Sequence, residues 1–205
     1  MPTLVPIVEG YGEVQAVPEL VRRVLQHHQA YEISVDHPIR QSRSKLARED
    51  TFKAAVAVAR KQTDCSAILV VFDADKDCPA DLAPQLLRWG ADQLGEFPLW
   101  VVIAKREYEA WLIASIESLQ GRRNIRSDAR PPDDVEVIHD AKGWLSAQMP
   151  ALIKYSETCD QAALTAALDF RLAHQRSSSF RKLWRDLARL TERLHGGFID
   201  LPELE

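Results

Sequence analysis

Cysteine is scarce in this chain. Cys65, Cys78 and Cys159 are scattered over 205 residues. Their odd number and wide spacing make no zinc pattern and argue against a disulfide framework at this size. The expected setting is a reducing cytoplasm. No apolar run approaches the roughly 20 residues of a membrane span, and the Met-Pro-Thr start has neither the basic region nor the apolar core of a signal peptide. The six histidines show no HExxH or clustered ligand spacing. No Gly-Lys-Ser/Thr phosphate loop occurs. Repeats and low-complexity tracts are absent. A net charge of −4 does not announce a nucleic-acid binder. The apolar and charged fractions are ordinary, and the length suits one domain with a decorated end or one and a half domains.

What is present begins with Ala67-Ile68-Leu69-Val70-Val71-Phe72, followed by Asp73, Asp75 and Asp77. A continuous run rich in Val and Ile reads as a strand covered on both faces, as in a parallel sheet. Ligands of open α/β sheets bind outside the carboxyl ends of the strands. If extended geometry continues, the three alternating carboxylates point to one side. Their mutual repulsion suits a hard divalent cation, Mg²⁺ or Mn²⁺, held by one or two carboxylates plus water and substrate oxygens.

A second acidic turn mirrors the first. Leu4–Val8 is a short apolar strand, Glu9-Gly10-Tyr11-Gly12-Glu13 follows, and a helix is expected over Val14–Gln26. The turn lacks the glycine pattern of a dinucleotide fingerprint. Its contribution is acid, from Glu9 at the strand end and from Glu13 in the first turn of the helix, where a carboxylate also complements the helix dipole.

Further strands are expected at Ile33–Pro38 and Leu99–Ala104. Helices are expected at Thr51–Gln62, Ala80–Leu94 and Tyr108–Leu119. This alternation indicates an α/β fold, a mostly parallel sheet flanked by helices. Glu107 and Glu109 fall after the last strand, again at a carboxyl end, and Glu109 is the better candidate for the site. Residues 1–119 form the expected α/β core. Residues 120–139, polar and basic with Pro131-Pro132, read as a loop or mobile segment. Residues 140–205 read as a C-terminal helical extension packed on the core, with helices at Ala141–Met149, Asp160–Ala173 and Ser178–Leu194, caps at Asp160 and Ser177–Ser179, and a helix stop at Gly196-Gly197.

Basic residues cluster away from these acids. One group is Arg40, Arg43, Lys45 and Arg48; another is Arg122, Arg123, Arg126 and Arg130; a third includes Arg181, Lys182 and Arg185. Such patches attract phosphate backbones, so Arg122, Arg123, Arg126, Arg181, Lys182 and Arg185 are candidates for nucleic-acid contact.

Glu-Gly after the first strand and Asp-x-Asp after a later one resembles the Toprim fold of topoisomerases, primases and related nucleases, including those of the overcoming-lysogenization-defect type. The pattern is most similar to the bacterial domain of unknown function numbered 4276. Val8-Glu9-Gly10-Tyr11-Gly12-Glu13-Val14, Phe72-Asp73-Ala74-Asp75-Lys76-Asp77-Cys78-Pro79 and Arg106-Glu107-Tyr108-Glu109-Ala110-Trp111-Leu112 carry it, with weaker agreement at Ala141–Leu145 and Ser177–Arg181. The resemblance implies that Glu9 and the aspartates share a divalent metal, with Glu9 a ligand or a proton-exchanging group. It implies metal-assisted cleavage of DNA or RNA, and by the same analogy a partner ATPase and a part in phage defence. Glu9, Asp73, Asp75 and Lys142 are the expected catalytic residues. Glu9, Glu13, Asp73, Asp75, Asp77 and Glu109 are the expected metal ligands, and Lys142 would neutralise a phosphate. No tyrosine is placed for a covalent step, Tyr11 lying in the turn itself. An oligomer is possible.

Two other classes fit the residues. One is a Toprim-like module that binds nucleic acid or a partner ATPase without catalysis. The other is a different metal-dependent phosphate or nucleotide-sugar enzyme. Phosphotransferases of the haloacid-dehalogenase type want Thr or Val two residues past the second Asp, where this chain has Asp77.

Overall fold

In the computed structural model, residues 1–195 are described. The expected helix stop at Gly196-Gly197 and the tail after it lie outside them. Five strands form one parallel sheet: β1 (Thr3–Val8), β2 (Ser34–Val35), β3 (Ile39–Arg40), β4 (Cys65–Asp73) and β5 (Leu99–Ala104), in the order β2-β1-β4-β5, with β3 also on β1. The single strand expected over Ile33–Pro38 is instead two short pieces, one beside Thr3-Leu4 and the other beside Ile7-Val8. Pro38 lies between them and has no N–H to give to a ladder.

Strand parity divides the core. Leu4, Val8, Leu69, Val71 and Val102 face one side, where they pack with α1 (Glu13–His27), α5 (Glu109–Ala114) and the C-terminal helices. Val5, Ile7, Ile68, Val70, Phe72, Val101 and Ile103 face the other, under α3 (Glu49–Arg60) and α4 (Pro79–Leu94), with Leu46 of the short α2 (Arg43–Leu46). Both faces are covered, which is why β4 reads as an unbroken apolar run. The fold is therefore α/β, a parallel sheet flanked by helices and followed by a helical C-terminal part.

The expected helix Tyr108–Leu119 is broken at Ser115 into α5 and α6 (Ile116–Leu119). The Ser115 hydroxyl donates back to the Leu112 carbonyl, a local bond that competes with helix continuation. Residues 120–134 are irregular but anchored, since Ile125 and Ala129 are buried in the same cluster as α1 and α5. A 3₁₀ turn at Val135–Val137 and α7 (Ala141–Ala147) follow.

The helix expected over Asp160–Ala173 is a π-helical turn (Glu157–Gln161), α8 (Ala162–Thr165) and α9 (Phe170–Arg176). Asp160 is inside the π turn rather than capping a helix. Its carboxylate accepts from the Ser156 N–H and pairs with Arg123. Ser177 does cap α10 (Ser178–His195), its hydroxyl accepting the Phe180 N–H at 3.1 Å. Cys65, Cys78 and Cys159 are all free thiols. Among the described residues no helix is long and apolar enough to cross a membrane.

Candidate functional site

Both acidic turns come off the carboxyl ends of neighbouring strands, because β1 and β4 pair in register up to Val8 and Val71. Asp73 has the parity of Leu69 and Val71, so it continues toward the α1/α5 side of the sheet. There it joins Glu9, Glu13, Glu109 and Lys142 around a cavity of about 260 Å³, whose rim includes Tyr11, Arg40, Glu157 and Gln161.

The first turn is closed by its own acid. The Glu13 carboxylate accepts the N–H of Glu9 at 2.9 Å and of Gly10 at 3.2 Å. This ties the turn to the first turn of α1, as a capping side chain does. Gly12 is required for a different reason. A Cβ there would meet the Gln161 amide oxygen and the Glu157 carbonyl oxygen. The turn and the π turn therefore touch backbone to backbone, and any side chain at position 12 would push them apart.

Asp73 accepts the Tyr108 N–H at 2.8 Å, which fixes where α5 begins. One residue on, Glu109 is fully buried. Its Oε1 accepts from the Tyr155 hydroxyl at 2.9 Å and the Gln161 amide at 3.2 Å, and its Oε2 has no partner. Glu9 Oε2 and Gln161 Oε1 are also buried without partners.

These carboxylates are hard to ionise. Burial raises Glu9, and Asp75 raises it further, against the Asp73 backbone, Arg43 and Lys142. Burial pushes Glu13 up to about 7, with Glu9 and Glu109 adding to it, against the two backbone N–H groups that favour its anion. Asp73 lies well above the usual carboxylate range through burial and then through Glu13, Glu109 and Glu9. Burial raises Glu109 as well, opposed by Lys142 and the Tyr155 hydroxyl. Burial would lower Lys142, but its bond to Glu157 at 2.5 Å and the charges of Glu109, Glu157 and Asp73 hold its ammonium above the normal lysine range.

The six acids expected to hold a metal do not share one pocket. β4 ends at Asp73, and Asp75 takes a left-handed conformation at φ 52°, so strand alternation stops there. Asp75 and Asp77 are exposed beside a neighbouring cavity, and both pair with Arg43. Arg43 also donates to the carbonyls of Asp73 and Ala74 at 3.1 and 2.9 Å, so it holds the whole acidic loop. Arg106, at φ 70°, completes the clasp, accepting the Asp75 N–H on its carbonyl and donating to the Asp75 carbonyl.

The remaining set has the hard oxygens that Mg²⁺ or Mn²⁺ prefers, and two of them are orphaned. Among the described residues no three His, Cys, Asp or Glu side chains already form a metal cage. The residues fit a cation held by one or two carboxylates, with the rest of its shell from water and substrate. One or two of Glu9, Asp73 and Glu109 would supply them, since Glu13 is engaged in closing the turn.

The basic candidates have mostly internal partners. Arg123 pairs with Asp160, Arg126 with Asp128, and Lys182 with Asp186 and the Val101 carbonyl. Arg181 donates to the carbonyls of His174 and Gln175 at the end of α9. Arg122 and Arg185 are exposed. Sequence reasoning missed Glu157, Gln161 and Tyr155, which reach the site across the fold from a segment with no motif. Arg40 and Arg43 were visible only as a basic cluster, and nothing local tied that cluster to the acids.

No curated protein matches the chain. Among solved structures, the C-terminal region of the Xanthomonas campestris pv. campestris OLD protein is similar at 16% identity and a TM-score of 0.43, over 94% of this chain and 97% of that one. The sequence profile of the family described as a domain of unknown function (DUF4276) matches residues 8–188, and the chain belongs to that family.

Proposed function

We propose that this protein is a metal-dependent phosphodiesterase of the Toprim nuclease kind, acting on DNA or RNA with Mg²⁺ or Mn²⁺. One observation carries the reading: Glu9, Asp73 and Glu109, held partly or wholly out of water, face Lys142 across one cavity at the carboxyl ends of parallel strands. A structural role for so many poorly paired carboxylates is costly, because each desolvated charge is destabilising unless a cation or a proton compensates it.

A bound divalent cation would neutralise these charges and make water a stronger acid at neutral pH. Lys142 offers its ammonium to a phosphate oxygen by exchanging its partner Glu157 for the substrate. Glu9, half-buried and with its affinity for protons raised, can take a proton from an attacking water or give one to a leaving oxygen. Tyr155 and Gln161 both donate to Glu109 Oε1 and so hold Glu109 in place on the floor of the cavity. Exposed Arg122 and Arg185 are the best placed of the basic candidates to meet a phosphate backbone. A partner ATPase, a phage-defence role and a cytoplasmic setting accompany this reading on resemblance and composition alone.

The test is cleavage of single- and double-stranded DNA and RNA with Mg²⁺ or Mn²⁺, by wild type, Asp73→Asn and Glu109→Gln. Cleavage by wild type that both variants lose while staying folded supports the proposal. A second reading, a module that binds without turnover, has in its favour that among the described residues no three His, Cys, Asp or Glu side chains form a ready metal cage. Mn²⁺ and nucleic-acid binding with no cleavage under any condition would establish it and sink the first.

A further inference from the structure

We infer that Tyr11 and Arg40 form a platform for an unpaired nucleobase at the mouth of the acidic cavity. The inference rests on the phosphodiesterase reading and adds a preference for single strands.

Tyr11 lies between Glu9 and Glu13 in the turn that builds the site, yet its side chain leaves the fold, 64% exposed. An aromatic ring in water contributes little to folding, and a polar residue would serve this turn equally well. The ring is nevertheless held in place. The Arg40 guanidinium carbon lies 4.0 Å from the ring centroid. One guanidinium nitrogen donates to the Tyr11 hydroxyl at 3.2 Å and the other to the Glu9 carbonyl at 3.4 Å. Arg40 is fixed in turn, because it ends β3 and its backbone pairs with Val8. The sheet edge thus presents a planar cation stacked on an aromatic ring, both on the rim of the cavity that contains Asp73, Glu109 and Lys142.

This is the chemistry that receives a nucleotide. Flat aromatic and guanidinium surfaces stack on any base, whatever its sequence. A phosphate drawn in by Lys142 carries its sugar and base toward the rim, where Tyr11 stands. A base paired within a stacked duplex cannot offer its face to the ring, so the platform selects unpaired nucleotides. Arg40 also adds a positive charge at an entrance whose floor is acidic, easing the approach of a phosphate.

The experiment measures binding of labelled phosphorothioate strands, which resist turnover, in Mg²⁺, to full-length wild type, Tyr11→Leu and Tyr11→Phe. The probes are a single strand, the same strand with abasic sites, and the duplex. The expectation is that Tyr11→Leu weakens single-strand binding about tenfold and Tyr11→Phe hardly at all. Wild type should bind the abasic strand as weakly as Tyr11→Leu does, and duplex binding should not change. Mononucleotides competing at the wild-type site but not at Tyr11→Leu would show the same stacking with a free nucleotide as ligand. Equal single-strand affinity in wild type and Tyr11→Leu, or an equal loss on all three probes, overturns the platform while leaving wild-type cleavage as evidence for the phosphodiesterase. Wild type that neither binds nor cleaves any strand overturns both.

Discussion

Glu109 and Glu136 are both buried glutamates, and the protein treats them in opposite ways. Glu136 accepts from the hydroxyls of Ser177, Ser178 and Ser179 at 2.7, 2.6 and 2.8 Å and from the Ser179 N–H at 2.9 Å, with Lys105 at 3.7 Å. Burial alone would raise its pKa, but these donors at the start of α10 more than compensate and lower it. Glu109 has two donors and an orphaned oxygen, and its pKa is raised. Glu109 is also the more deeply buried of the two, so heavier desolvation and a poorer donor supply push in the same direction. A carboxylate that receives enough hydrogen bonds is structural, and an under-supplied one facing a cavity is poised for a ligand.

The sharpest way to break this contrast is to remove each charge. Glu109→Gln keeps the shape and relieves an unpaired charge. It should cost less than about 1 kcal/mol in urea unfolding while reducing cleavage at least ~10²-fold, the scale on which removal of one electrostatic contact to a transition state is felt. Glu136→Ala should do the reverse. It strands three hydroxyls and an N–H that now share one acceptor, for a loss of about 2–4 kcal/mol. Similar stability losses in the two variants would end the distinction.

Titration sharpens it from another side. Glu136 stabilises the fold above the unfolded carboxylate pKa, and that contribution disappears as pH falls through its lowered folded value. His28 acts at higher pH. It is buried against Trp184 and His27, neither ring nitrogen has a partner, and burial and then His27 lower its pKa to about 4. The unfolded chain takes up a proton near pH 6.5 that the folded chain refuses, so the His28 contribution to stability falls as pH drops from about 6.5 to about 4, while the raised carboxylates, Glu13 among them, act in the opposite sense. The loss is on the order of 3 kcal/mol. The stability of His28→Phe relative to wild type should therefore rise as pH drops through this window, and a difference that does not change with pH would mean that His28 does not carry it.

The smallest expected effect concerns the exposed acids. Arg43→Lys loses the fork that spans Asp75, Asp77 and two carbonyls, yet the two aspartates are half-exposed and screened by water. Unfolding should change by no more than about 1 kcal/mol. The effect on cleavage should exceed that on stability, because Arg43 shapes the loop that carries Asp73. Equal and small effects on both would make Arg43 a surface contact only.

Local chemistry was enough to read much of this protein. The apolar runs Leu4–Val8, Ala67–Phe72 and Leu99–Ala104 are strands because both faces of the sheet are covered, and burial on two sides requires an unbroken apolar segment. The acids at their ends belong to the loops at the carboxyl edge for the same reason. Local pattern failed where a nearby bond or a distant partner decided: at Ser115, where a hydroxyl bonds back to the chain, and at Glu157–Gln161, where a helix widens into a π turn against Gly12.

Which acids meet was a tertiary decision. The sequence placed Asp73, Asp75 and Asp77 in one row, but Arg43 and the left-handed Asp75 separate the first from the other two. The sequence determined the strands, the sheet class and the acidic turns, because these depend on periodicity and neighbouring residues. Only the tertiary structure determined that Glu157 and Gln161 close the cavity that Glu109 and Lys142 share with Glu9 and Asp73, and that Asp75 and Asp77 stay outside it, because desolvation and hydrogen-bond supply depend on what the rest of the chain brings to the same place.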